Sequence, residues 1–203
     1  MTLNKGKLIL GLALVVLFAG SFAGFQTQPK QKSLGVFPVG LADSVFSPEG
    51  YSLEDAGTKA ISDQLRLDKR FSVVPFTRTH PAIQRALNEG SVKAGLLMAP
   101  FTGRAEGEFK AVRLGRLMRV ELAVAPIIDS YDFDSAKSTA KLVIRYEIYD
   151  VKLSKLIGSV GLSAEGKGAD EKAAASAAVA DMVSKSIPQV IEMMTKPPKT
   201  GGQ

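Results

Sequence analysis

In Lys141-Leu-Val-Ile-Arg-Tyr-Glu-Ile-Tyr149, the residues Leu142, Ile144, Tyr146 and Ile148 alternate with Lys141, Val143, Arg145, Glu147 and Tyr149. A strict period of two describes a β-strand with one face in the core and the other largely wet. On its N-terminal side, residues 119–128 turn Val120, Leu122 and Val124 inward. On its C-terminal side, residues 156–164 do the same with Val160, Leu162 and Ala164. Links at 129–136 and 150–155 join the three into an antiparallel meander. Asp129-Ser-Tyr-Asp-Phe-Asp134 falls in the first link and reads as a wet hairpin tip. As a calcium loop it lacks the glycine and the glutamate such loops use.

Upstream, strand and helix signals alternate. Ser33-Leu-Gly-Val-Phe-Pro-Val-Gly40 is apolar on both parities, as expected of a central strand covered on both sides. Pro38 removes one backbone donor, so pairing stops there or that end is an edge. Ser52-Leu-Glu-Asp55 has capping-box form and opens a helix over 53–67, followed by a short strand at 70–76. Thr79-His-Pro-Ala82 opens another helix, ending near 88–90. A further helix is predicted over 107–118, with Phe109, Val112, Leu114, Leu117 and Met118 as its apolar members. Between them, residues 96–100 fit a short helix or a connecting strand. Downstream of the meander, a long helix spans 169–194. Its stripe is Ala175, Val179, Met182, Val183, Ile187, Val190, Ile191 and Met194. Alanines at 173–175, 177 and 178 permit close approach to the sheet, and Pro188 bends the last turns. The fold class is therefore α/β (α+β): a single domain with a mixed sheet of about five strands, flanked by helices.

The N-terminus carries Lys5 and Lys7, then an apolar run over residues 8–19, then Ser21 and Ala23. That is an export signal over residues 1–23, cut after Ala23. The alternative is an uncleaved membrane anchor reaching to about residue 25, since residues 8–25 are about long enough to span a bilayer. Residues 24–32 read as a linker, 33–194 as the domain and 195–203 as a disordered tail. Either way the domain lies beyond the membrane, in the periplasm or at the cell envelope. The chain has no cysteine, so it has no disulfide, thiolate nucleophile, acylated cysteine or cysteine metal site. The formal charge is +6, but Lys5, Lys7, Lys30, Lys32, Lys196 and Lys199 lie toward the ends and the body is near neutral. Nucleic acid is not an expected partner.

No catalytic, cofactor-binding or metal residue is assigned. His80 is the one histidine and stands before a proline at a helix start; no Gly-x-Ser-x-Gly elbow is present. One histidine without cysteine excludes a zinc site of the common kinds. Gly166-Lys-Gly168 lacks the rest of a dinucleotide fingerprint. Asp and Glu converging from distant positions leave a carboxylate-based hydrolase open, with no residue singled out. The candidate partner-binding residues are Arg145, Glu147 and Tyr149 on the wet face of the strand. A basic helix flank carrying Arg113 and Arg116, with Arg119 beside them, is a second candidate. An exposed sheet edge could also bind by strand addition.

Five segments carry a resemblance to a known group: Leu34-Gly-Val-Phe-Pro-Val39; Asp63-Gln-Leu-Arg-Leu-Asp-Lys-Arg-Phe-Ser-Val-Val74; Ala111-Val-Arg-Leu-Gly-Arg-Leu-Met-Arg-Val-Glu-Leu-Ala-Val124; Leu142-Val-Ile-Arg-Tyr-Glu-Ile-Tyr-Asp-Val151 with Lys155-Leu-Ile-Gly-Ser159; and the alanine-rich last helix. In this order they resemble the small envelope domain of the TolB N-terminal domain, CsgG and LpoB. The resemblance implies a non-enzymatic adaptor or activator that binds an envelope protein, without a cofactor. The rival it implies is a self-associating ring or secretion component. The chain departs from the group in having no cysteine to acylate, in carrying Lys152-Leu-Ser154 where Thr-Gly is frequent, and in lacking a propeller or membrane-crossing hairpins.

Overall fold

The computed structural model describes residues 31–196. The expected leader or anchor, most of the linker and nearly all of the tail lie outside the described residues. Strand β1 (Lys32–Val36) opens the fold and β2 (Gly40–Leu41) continues it after a break at Pro38. Pairing does stop at the proline: Phe37 N donates to Val124 O, and the ladder resumes at Gly40. Helix α1 (Leu53–Leu67) follows, capped by Ser52, whose Oγ accepts from Asp55 N at 3.0 Å. Then come β3 (Phe71–Pro75) and α2 (Pro81–Asn88), the latter capped through His80 Nδ1. A 3₁₀ turn at Ala94–Leu97 leads to a small hairpin of β4 (Arg104–Ala105) and β5 (Glu108–Phe109), and to α3 (Lys110–Leu117). The meander is β6 (Leu122–Asp134), β7 (Thr139–Asp150) and β8 (Lys155–Lys167), and α4 (Glu171–Thr195) closes the chain.

The main sheet runs β3-β1-β6-β7-β8, with β2 beside β6. β1 is parallel to both β3 and β6, and the meander is antiparallel, so the sheet is mixed. β1 is interior, but the middle strand is β6, not β1 as its apolar pattern suggested. Both are buried on two faces, and β6 runs on to Asp134, beyond the 119–128 that its apolar pattern predicts. The Asp129–Asp134 stretch is strand rather than hairpin tip. A bulge between Ile128 and Ser130 re-phases it, so that Tyr131 and Phe133 sit opposite Leu142 and Ala140 on the core side.

Two apolar cores sandwich the sheet. On one face α1 and α4 pack over Leu34, Val36, Val124, Leu142, Ile144 and Ile148. On the other, α2, α3 and the loop between them cover a smaller core built on Phe37, Phe76 and Phe101, whose ring centroids lie 4.8–5.2 Å apart. Burial of each Leu or Ile contributes roughly 1.5–3 kcal/mol. The exposed ion pairs contribute on the order of 0.2–1 kcal/mol each, so the cores hold the fold.

Two close approaches need glycine. Gly40 leaves room for the loop that crosses it: a Cβ there would lie 2.7 Å from Pro100 Cβ. Gly166 lies against α4, where a Cβ would come 2.0 Å from Ala178 N and 2.4 Å from Ala174 O. The alanines do permit the close approach their size suggested, with Ala174, Ala175 and Ala178 fully buried under the sheet.

Candidate partner-binding face

The smaller core covers only β3, β1, the start of β6 and the end of β7. Beyond it, the same sheet face is open. β7 contributes Lys141, Val143 and Arg145; β8 sets Glu165, Ser163 and Gly161 directly opposite them. Lys141 and Glu165 pair at 3.0 Å, and Val143 is partly exposed. The small side chains of β8 leave a shelf beside the Arg145 guanidinium.

Arg145 anchors this face. Its Nε and Nη2 donate to Asp129 Oδ2 and Oδ1, each at 3.1 Å, and Nη1 donates to Glu147 Oε1 at 2.9 Å. Asp129 comes from the bulge in β6, which turns it toward β7. Glu147 in turn accepts from Gly103 N at 2.8 Å and from the Tyr149 hydroxyl. Asp129 raises the guanidinium pKa by hydrogen bonding, so Arg145 is a permanent cation. A guanidinium has five N–H donors. Three are taken by these two carboxylates, leaving one on each terminal nitrogen to meet an acceptor from outside.

Sequence reasoning placed Arg145, Glu147 and Tyr149 on one wet face, and two corrections follow. Arg145 and Glu147 do meet. Tyr149, however, is 0% exposed, with its ring 5.0 Å from that of Phe109. Burial, then the Glu147 carboxylate, push its hydroxyl pKa far above the usual tyrosine range. Its role is to hold Glu147 from beneath. The cover comes from β5, whose two residues carry no periodic signal.

The basic helix flank does not form as expected either. The helix begins at Lys110 rather than 107, because Gly107 with φ 85° belongs to the β4–β5 turn. Arg113 pairs with Glu106 at 2.7 Å and donates to Ser91 O, while Arg116 pairs with Glu108. Both arginines clamp the hairpin. Arg119 lies past the helix end, with φ 57°. Neither Arg113 nor Arg116 joins the Arg145 network. Asp129, which the sequence suggests belongs to a wet hairpin tip, and Gly103, which carries no sequence signal, do join it. Among the described residues, no three His, Cys, Asp or Glu side chains gather as metal ligands.

No protein-family model matches the chain, and no curated protein matches it. Solved structures do. The hypothetical protein CT253 from Chlamydia trachomatis superposes with a TM-score of 0.60 at 14% identity, over 82% of this chain and 99% of that one. The two share one fold. The protein XCC0632 from Xanthomonas campestris is also similar, with a TM-score of 0.49 at 8% identity over 84% of this chain and 90% of that one. The LpoB C-terminal domain from Escherichia coli reaches a TM-score of 0.41 at 12% identity, over 72% and 92% of the two chains.

Proposed function

We propose that this chain is an exported, non-enzymatic interaction module of the cell envelope, an adaptor or activator that takes a protein partner on β8 and the Arg145 face beside it. The observation that carries the reading is the outer edge of β8. Glu165 N, on that outer side, is bonded to Asp181 Oδ2 of α4 at 3.1 Å. Strand alternation then turns the N–H and C=O of Ser163, Gly161 and Ser159 the same way, past the point where α4 closes the edge. An unpaired edge beside a flat shelf and an arginine with two open donors suits an extended segment adding as a further strand, with an acceptor seated on Arg145. The titratable groups nearby have structural work. Asp129 is bonded to Arg145, and Glu147 to Arg145, Tyr149 and Gly103.

The test is in-cell crosslinking from a photoreactive residue at Ser163, with one at exposed Ser176 on α4 as reference. A discrete heterologous adduct from 163 alone, lost in Gly161→Pro, supports the reading. Equal adducts from both sites, or an adduct indifferent to Gly161→Pro, would count against it.

The second reading, a self-assembling ring, is favoured by the sheet having two different outer strands, β3 and β8, on opposite sides. Head-to-tail pairing of such edges closes rings. Light scattering of residues 31–203 over a concentration series separates the two. A monomer throughout favours the adaptor, and a defined oligomer favours the ring.

A further inference from the structure

One end of the domain gathers the start of β1, the ends of α1 and α4 and the β7–β8 turn, because β1 and β3 run parallel from it and α4 returns to it. Four exposed lysines stand there: Lys32, Lys69, Lys152 and Lys155. Lys69 belongs to this end because its carbonyl accepts from the Gln31 side chain at 2.8 Å and Lys32 N donates to Arg70 O. None of the four makes an ion pair among the described residues, whereas the nearby acids are engaged. Asp68 holds Arg70, Glu192 holds Lys196, Asp150 accepts from Leu153 N and Glu121 from Ser33 N. Between Lys32 and Lys155 a cleft of about 580 Å³ opens, lined mainly by Leu153, Leu156, Ile157 and Met193, with Asp150 at its wall. Leu153 is 58% exposed and Leu156 40%. Leu67, at the end of α1, is also exposed.

We propose that this end is a docking surface for an anionic phospholipid bilayer. Exposed leucines enter the interface between headgroups and acyl chains, and lysines flanking them lay their stems along apolar surface while the ammonium groups reach headgroup phosphates. Two of these acids, Asp68 and Glu192, are neutralised by Arg70 and Lys196, so the four lysines outnumber the two carboxylates, Asp150 and Glu121, that keep their charge among the described residues. Connectivity points the same way. The apolar run of residues 8–25 ends six positions before residue 31. The six positions between them span at most about 20 Å of chain, and the chain enters the described domain at this end. Docking does not depend on whether the leader is cut, because the surface belongs wholly to the described domain. Among the described residues no helix is long and apolar enough to cross a membrane, so the contact is one of surface.

The chain has no tryptophan, so Leu153→Trp and Phe46→Trp each create a single fluorescent reporter. Phe46, 77% exposed, precedes the start of α1 at the opposite end. Both are made in residues 31–203, which contain both cores in full and lack the apolar run. Vesicles of phosphatidylglycerol with phosphatidylcholine are compared with phosphatidylcholine alone. The expected result is a blue shift, and quenching by brominated acyl chains, at Trp position 153 only, with anionic vesicles only, and reversed by high salt. Lys32→Gln and Lys155→Gln should each weaken partitioning about fivefold. Equal affinity for neutral vesicles, equal quenching at position 46, or a shift at 153 that rises with protein concentration in the absence of lipid would overturn the proposal. The last outcome would assign the surface to a second copy of the chain.

Discussion

Nε and Nη2 of Arg145 lie 3.1 Å from Oδ2 and Oδ1 of Asp129, so guanidinium and carboxylate meet edge to edge between β7 and the bulge of β6. The pair is fixed by geometry more than by burial, since its side chains remain 39% and 34% exposed. A double-mutant cycle on Arg145→Ala and Asp129→Ala should therefore give a coupling on the order of 0.5–1 kcal/mol in urea unfolding. A coupling of zero would mean the two groups hold no common geometry in solution.

Glu147 depends on a buried donor. Tyr149→Phe removes the hydroxyl under its carboxylate and should cost about 1–2 kcal/mol, with little change in the shape of the core. Retained stability would show that the carboxylate finds another donor, and hydrogen exchange at Gly103 N–H would reveal it.

Alkaline pH should unfold the protein through its buried phenols. Burial raises the pKa values of Tyr146 and Tyr149 far above the usual range, and burial with Glu171 does so for Tyr131. A raised folded-state pKa favours the neutral phenol in the native state. The stability it contributes is complete below the unfolded value, about pH 10, and is lost as pH rises beyond it. Ultraviolet difference titration should show these three phenols ionising together with loss of secondary structure. Ionisation ahead of unfolding would contradict the structure.

Gly166 and Gly161 occupy one strand and should respond in opposite ways. Gly166→Ala drives a Cβ into the α4 backbone, which cannot retreat from the sheet, and should cost about 3 kcal/mol or more. Gly161→Ala meets nothing closer than Ile144 O at 3.9 Å and should change the urea midpoint by about 0.5 kcal/mol or less.

Arg113→Ala should loosen the β4–β5 hairpin rather than the domain. Glu106 would keep Lys93 but lose its second cation, and Ser91 O its donor. Trypsin should cut faster after exposed Arg104, with the unfolding midpoint nearly unchanged. An unchanged cleavage rate would show that the clamp does not restrain the hairpin.

Where periodicity was long, sequence was enough. The alternation through β7, the Ser52 cap and the stripe of α4 each rest on many residues repeating one geometric rule, and all three stand in the structure. The neighbourhood of Arg145 and Glu147 followed from that alternation. What was not legible depended on short or re-phased elements. Ser130, Asp132 and Asp134 alternate with Tyr131 and Phe133, a strand signal masked by three acids that resemble a turn. The cover over Tyr149 comes from a two-residue strand, and the clamps at Arg113 and Arg116 are made by acids seven and eight residues upstream. Such contacts are set by the path of the loop, which no local pattern encodes.

The insertion of β1 between β3 and β6 also orders events in time. β6, β7, β8 and α4 are consecutive, so the meander and its covering helix assemble from near neighbours in the chain. Leu34, by contrast, pairs with Leu122. A ribosome or a translocon delivers β1 first and its second partner strand 88 residues later. Through that interval one side of β1 stays unpaired beside Phe37, and contact order makes its insertion the slow step. The N-terminal strand is thus the part of this protein that most needs shelter while the rest of the chain arrives.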